Sequence, residues 1–455
     1  MKPKLLVILG LAILIRVAWL GTSSHFLSDE SRDLVNIHQI WVEKKLTLVG
    51  PISDDRSHVF SSLTYYMLLP FAALGNFDPL STVLGAVFWG LIVWILAVRL
   101  GWEQNREKVL LTALLAAVWF PLVQTSRWPW NPNLMLPWLF AGIWLSGYRK
   151  WQARILSGLC FGLAIHHHYL AAVPAVLMVI KNRDLLMAAG EITAIIPFVI
   201  FDQLHPPGIF ISRMIDYNRS QMQTNPLDLI RRWPGIINYF ANYIFGQKII
   251  SVLGLIGTIL LAGWDIGKKT PARSWLIIWM VTLLPLGLYS RQFHYLLPAL
   301  PFFFIWLVSK RTNFGSRLAK YLLIFLLAGS LTELPGLWRL PDWEGNLKIL
   351  RGATDIMAEQ ITAQKLINPN LAVLASPDIY PAGKKYRDLL LVKNIRVKMY
   401  EEYGLSDNLF VVTKSDVETI RKDPAAELLY FRNGPIAGQW PIQDTGWKVI
   451  QINRY

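Results

Sequence analysis

A chain that alternates long apolar runs with short basic stretches has few ways to fold. Here such runs fall near 5–21, 80–98, 109–125, 134–148, 155–180, 185–203, 247–264, 274–290, 294–308 and 321–338. A helix needs about 20 apolar residues to cross a bilayer. Inside hydrocarbon every backbone N–H and C=O must be bonded within the protein, so helices are the natural spanning element. The run 155–180 is interrupted by His166, His167 and His168 and reads as two helices meeting near the outer face. The run 60–75 is apolar but short and contains Pro70, which suits a helix lying in the interface or dipping part-way in. Composition agrees: 53% of residues are hydrophobic and only 16% charged, against roughly 25% charged in soluble domains. The pattern predicts a mainly α fold, a polytopic transmembrane helix bundle of about eleven spans.

Charge placement orients the bundle. If 60–75 does not cross, one side receives Lys2/Lys4, Arg99/Arg106/Lys108, Arg149/Lys150/Arg154, Lys181/Arg183, Lys268/Lys269/Arg273 and Lys310/Arg311/Arg317/Lys320. The short loops of the other side hold little more than Arg127 and Arg291. Positive residues favour the cytoplasm, so the N-terminus is expected inside and the C-terminus outside, in a multi-pass plasma-membrane protein. The start Lys2-Pro3-Lys4 followed by apolar residues resembles a signal peptide, but no small-residue cleavage site is clear, and a retained first helix is expected. The net charge of +15 is spread over these loops and does not point to nucleic acid. A single cysteine, Cys160, excludes an intramolecular disulfide framework.

Three regions on the outer side are long enough to build structure: 22–79, 204–246 and the tail from about 340. The tail is more polar, with a helix-like stretch near 344–366 and strand-like runs Leu371–Ala375, Leu409–Thr413 and Lys448–Ile452. Two domains are therefore expected: a transmembrane domain over 1–340 and a small extracytoplasmic α/β domain over 341–455.

Polar residues gather on that outer side from distant segments. The first loop offers Asp29, Glu30, Arg32, Asp33, His38, Asp54, Asp55, Arg56 and His58; later ones offer Arg127, Trp128, Trp130, Asn131 and Asn133. Beyond them come His166 to Tyr169, Asp202, His205, Arg291, His294 and Tyr295. Carboxylates and cations at one rim of a membrane bundle suggest a cavity that binds an anion and presents a base. Three bland readings stand beside this. Asp54-Asp55 suits a turn, the Trp-Pro-Trp run an interface anchor, and consecutive histidines on a helix splay apart and rarely ligate one metal ion. Arg16, near the outer end of the first helix, is expected either to snorkel outward or to reach a lipid phosphate.

The run Asp29-Glu30-Ser31-Arg32 after the first helix resembles the Asp-Glu motif in the first outer loop of GT-C membrane glycosyltransferases. Within these, the likeness is to the protein O-mannosyltransferases and the lipid A aminoarabinose transferase. Leu63-Thr64-Tyr65-Tyr66 through Gly75 is similar to their partly inserted helix, and His294-Tyr295-Leu296-Leu297-Pro298 to their Arg-Tyr-Leu-Leu-Pro run. The resemblance covers roughly 1–340. It implies transfer of a sugar from a polyprenyl-phosphate donor, embedded in the bilayer, to a glycolipid, protein or polysaccharide of the cell envelope. Asp29, with Glu30 beside it, would be catalytic, Asp29 as general base of an inverting reaction. Arg32, His58, Arg291 and His294 would bind the donor phosphate. Arg127, Asn131, His167, His168 and Tyr295 would contact donor or acceptor. Two departures matter. Amides in Arg127-Trp128-Pro129-Trp130-Asn131-Pro132-Asn133 stand where the relatives carry a second acid, and Ser61-Ser62 stands where they carry Pro-Pro. No cofactor is certain from the resemblance; a divalent metal stays open, without support from the residues. The alternative reading is a lipid or saccharide transporter or flippase, whose paired inverted halves this sequence does not display.

Overall fold

A computed structural model of the chain describes residues 2–53, 58–104, 106–221, 226–246, 248–287, 293–309, 313–339, 343–374 and 383–455. Helices dominate, and the chain divides into two compact units. The first comprises Met1–Ala18, Thr47–Met67 and Leu84–Leu337; the second comprises Trp19–Leu46, Leu68–Val83 and Trp338–Tyr455. The composition shift near 340 thus marks one border of the second unit. Two earlier stretches, 19–46 and 68–83, join that unit through contacts that composition does not reveal.

Among the described residues, five helices are long and apolar enough to cross a membrane: Pro3–Ser23, Pro79–Gln104, Leu185–Leu204, Lys248–Lys268 and Gly315–Trp338. A sixth results if Arg106–Val118 and Phe120–Ser126, bent by 50°, count as one broken span. These make it an integral membrane protein. The hydropathy pattern predicts about eleven spans; the difference lies in runs that fold as short or broken helices. Examples are Met135–Leu145, Trp151–His167, Ala172–Asn182, Arg273–Leu283 and Leu300–Val308, all below the roughly 20 residues of a straight crossing. The break in the run 155–180 comes at His168, as expected. Leu63–Leu74 has 12 residues, roughly 18 Å of helix, too short to cross.

In the first unit, helices Trp151–His167 and Leu185–Leu204 lie backbone against backbone. A Cβ on Gly158 would fall 1.9 Å from the Met187 carbonyl oxygen, and one on Gly190 would fall 2.2 Å from that of Ile155. Small residues at such crossings replace hydrophobic driving force with close van der Waals contact.

The broken span has a local cause and a local remedy. Pro121 has no N–H to give the Ala117 carbonyl four residues back. The Phe120 N–H, which would reach Ala116 in an unbroken helix, donates instead to Ser330 Oγ at 3.0 Å. Both freed carbonyls accept from one fully buried guanidinium: Arg16 Nη1 donates to Ala117 O at 2.8 Å and Nη2 to Ala116 O at 3.1 Å. Arg16 therefore neither snorkels nor reaches for lipid, as the sequence suggested; it closes the backbone hydrogen bonding of a neighbouring helix. Arg127 works in the opposite direction, its Nη1 donating to Arg16 O at 2.7 Å and Ala18 O at 3.0 Å, where the first helix runs out.

The second unit holds a four-stranded sheet of order β3-β4-β6-β5, following a separate pair, β1 (Val49–Ile52) and β2 (Val59–Ser61), in the first unit. β3 (Pro369–Leu374) runs parallel to β4 (Asn408–Thr413), with helix Lys384–Val392 between them in sequence. β6 (Lys448–Asn453) is antiparallel to both β4 and β5 (Ile436–Pro441). Its core packs Leu409 and Val411 of β4 with Ile450 and Ile452 of β6, Tyr403 and Phe431. Helix Leu347–Ala363 covers part of this sheet, near the 344–366 expected.

Replacing Arg16 with leucine should expose the two carbonyls to apolar surroundings. We expect a loss of about 2–4 kcal/mol, read as a lower thermal midpoint in detergent, and a smaller loss, about 1 kcal/mol, for Ser330→Ala.

Candidate functional site

In the second unit, helix Ser28–Glu43 begins with the acidic pair. A helix leaves its first N–H groups unpaired. Here the Glu30 carboxylate turns back and accepts from the Leu27 N–H at 2.6 Å, and the residue is only 3% exposed. Glu30, expected beside Asp29 as catalytic, is thus a helix cap whose acceptor oxygen is already in use. Asp29, about 100° round the helix, keeps a side chain 29% exposed and accepts from Arg32 Nη1 at 2.8 Å. The same guanidinium donates to Asp33 Oδ1 through Nε at 3.0 Å and Nη2 at 2.8 Å. One arginine held between two carboxylates orients Asp29 firmly. Arg32, expected on the donor phosphate, thus already donates to two carboxylates. Ser31 Oγ donates to Asp388 Oδ2 at 2.7 Å, pinning the helix on Lys384–Val392.

In the first unit the three histidines diverge, as residues 100° apart on a helix must. His166 bonds Ser61 Oγ through Nδ1 and the Ala194 carbonyl through Nε2, each at 2.8 Å. A carbonyl only accepts, so Nε2 carries the proton. His167 is fully buried. The Trp138 indole N–H donates to its Nε2 at 3.2 Å, which places the proton on Nδ1, 2.9 Å from Thr64 Oγ1. Asn131 Nδ2 donates to the His167 carbonyl at 2.9 Å. His167, Asn131 and Arg127, expected on donor or acceptor, thus have donors or acceptors committed to holding helix ends. The reason is general: a polar group buried in an apolar bundle must be paired. A sequence shows which residues are polar but not which are buried.

His168 differs. It accepts from the Leu170 N–H through Nδ1 at 3.3 Å, so its Nε2 carries the proton. Its ring lies among segments far apart in sequence: 5.4 Å from His294, 5.6 Å from Tyr295 and 5.9 Å from Phe60 by ring centres. His58 and Tyr169 flank Phe60 at 6.1 and 5.2 Å. Trp130 meets His294 edge-on at 4.7 Å and stacks with Trp128 at 4.9 Å. Tyr169 donates its hydroxyl to the Val59 carbonyl, tying the cluster to β2. Four expected residues, His58, His168, His294 and Tyr295, are therefore brought together. Imidazole N–H and phenol O–H donors in an aromatic frame are chemically suited to phosphate oxygens or sugar hydroxyls. Arg291, Asp54, Asp55 and Arg56 lie outside the described residues. Among the described residues, no three His, Cys, Asp or Glu side chains are placed to hold a metal ion. The signal available in the sequence for the pairings Thr64–His167 and Ser61–His166 is a pair of hydroxyls three residues apart, Ser61 and Thr64.

Glu30→Gln keeps an acceptor for the Leu27 N–H and should leave the thermal midpoint near wild type, whereas Glu30→Ala should cost about 1 kcal/mol. His167→Leu leaves the Trp138 N–H with only the Met67 sulfur at 3.4 Å and should cost about 1–3 kcal/mol by the same measurement.

No family model matches the sequence, and no curated protein matches it in sequence. Solved structures do match in fold. The crystal structure of ArnT from Cupriavidus metallidurans bound to undecaprenyl phosphate superposes with a TM-score of 0.60 at 11% identity, covering 98% of this chain and 97% of that one. The apo structure of the same protein gives a TM-score of 0.55 at 11% identity, covering 99% and 98%. Along nearly its whole length, the chain has the fold of ArnT, a lipid A aminoarabinose transferase of the GT-C type.

Proposed function

We propose that this protein is a GT-C-type membrane glycosyltransferase that moves a sugar from a polyprenyl-phosphate donor to an acceptor outside the cytoplasm. The observation that carries the reading is the fold likeness over 98% of the chain to a transferase crystallised with undecaprenyl phosphate. The placement of Asp29 supports it: a carboxylate held in one orientation, yet partly exposed.

In this reading Asp29 is the general base. It takes the proton from an acceptor hydroxyl or amine as that group attacks the anomeric carbon. The bond from that carbon to the phosphate oxygen breaks, and the phosphate leaves with the electron pair and its negative charge. Attack opposite the leaving group inverts the centre. Arg32 aims Asp29 through their ion pair, which is a positioning task. Hydrogen-bond donation to the departing phosphate is assigned, on the resemblance alone, to His58, Arg291 and His294. The acceptor is a glycolipid, a protein or a polysaccharide.

The positive-inside pattern supports a cytoplasmic N-terminus and an extracytoplasmic position for 341–455. Eleven crossings require the helices of 9–17 residues to cross with help from bent or 3-10 extensions, such as Phe293–Ala299 before Leu300–Val308.

Purified protein supplied with lipid-phosphate sugars should lose about 10²–10⁴-fold in transfer on Asp29→Asn, with lipid binding and thermal midpoint unchanged. Undiminished turnover in that variant removes Asp29 from the chemistry. Impermeant labelling of a cysteine introduced at Tyr455 should succeed from outside intact cells; labelling only after lysis reverses the orientation.

A further inference from the structure

A cavity of about 570 Å³ opens in the second unit, lined by His38 and Trp41, by Asn76 and Asp78, and by Arg351 and Lys393 among others. That volume is within the range of small-molecule sites, about 300–1,000 Å³. His38 and Trp41 come from the later turns of helix Ser28–Glu43. His38 is nine residues beyond Asp29, roughly 13 Å along the helix and half a turn round it. The cavity is therefore a different place from the Asp29–Arg32–Asp33 group.

Its lining is polar, aromatic and balanced in charge. Arg351 Nε donates to Asp78 Oδ2 at 2.9 Å, and Lys393 Nζ lies 3.0 Å from Asp355 Oδ1. Each cation has a carboxylate, and desolvation lowers the pKa of His38 below the ordinary histidine value, leaving it neutral near pH 7. Nothing in this lining draws an anion. Two ion pairs in the lining, each partly exposed, equally disfavour an acyl chain or detergent tail.

The wall is rigid where it turns. Asn76 and Phe77 are consecutive non-glycine residues in the left-handed region, at φ 51° and 57°. Phe77 is held there by its N–H on the Ala72 carbonyl at 2.7 Å and by a T-shaped contact with His38 at 4.8 Å. Asp78 is fixed on its other side by the Leu80 N–H at 2.9 Å. Backbone strain of this kind persists where the surroundings over-determine it, and gathers at ligand clamps. The Trp41 ring is 45% exposed and held by the Lys44 ammonium at 3.7 Å from its centre.

We propose that this cavity is a saccharide-binding site for one or two neutral sugar rings. A sugar offers C–H faces to Trp41 and hydroxyls that both donate and accept, matching Asp78 as acceptor, Arg351 as donor, and Asn76 and Asn394 as both. The assignment stands on binding and holds whether or not the chain transfers sugar.

The test uses the full chain in lipid nanodiscs, with saturation-transfer NMR on cellobiose, maltose and chitobiose, and inorganic phosphate as the anion probe. At least one disaccharide should bind saturably, and Trp41→Ala should weaken it by about tenfold or more at an unchanged thermal midpoint. Asp78→Asn, which keeps the helix cap, and Asn394→Ala should weaken it as well, and they decide the matter if Trp41→Ala does not fold. Absence of saturable binding by all three disaccharides overturns the proposal. So does binding that all folded variants retain in full, or displacement of the sugar by phosphate.

Discussion

The bundle depends on a single constraint: in an apolar surrounding no backbone carbonyl can go unpaired. Pro121 and the diversion of the Phe120 N–H to Ser330 release two carbonyls in mid-bundle, and Arg16 takes both. Arg127 then closes the end of the helix that carries Arg16. The two arginines form a reciprocal arrangement in which each helix's defect is covered by a cation from its neighbour. Because they spend their donors on carbonyls, they fix the break between Val118 and Phe120 in one place.

The histidine run follows the same logic at the next level. Helical geometry sends His166 and His167 to different neighbours, and burial obliges each to find hydrogen bonds there. Those bonds tie the end of Trp151–His167 to Ser61 and Thr64. His168, the first residue beyond the helix, escapes that duty and turns into the cluster with His294 and Tyr295. Three identical residues are thus sent to different surroundings by their position relative to a helix end. In the second unit, Glu30 caps while Asp29 stays partly exposed, a similar division between adjacent carboxylates.

Much of the architecture was legible because apolar runs and strand-like runs carry their own physics. Lys248–Lys268 and Leu185–Leu204 were foreseen within a few residues, as were β3, β4 and β6. The number of straight crossings was not, since hydropathy sums over a bend and cannot see that Met135–Leu145 stops after 11 residues. Of the site residues, His58, His168, His294 and Tyr295 were named and do assemble. Arg127, Asn131 and His167 were named for chemistry and turned out to hold helix ends.

The sequence by itself determined that this chain is a membrane helix bundle with a polar α/β tail, because hydrophobicity and its period are local properties. It also singled out the Asp29 region, since carboxylates at a membrane rim are costly without a purpose. Tertiary structure alone decided which polar groups remain accessible. Glu30, His167 and Arg16 look as reactive in sequence as Asp29. Only packing shows that their hydrogen-bonding capacity is already taken by N–H, carbonyl, hydroxyl and indole partners up to a hundred residues away.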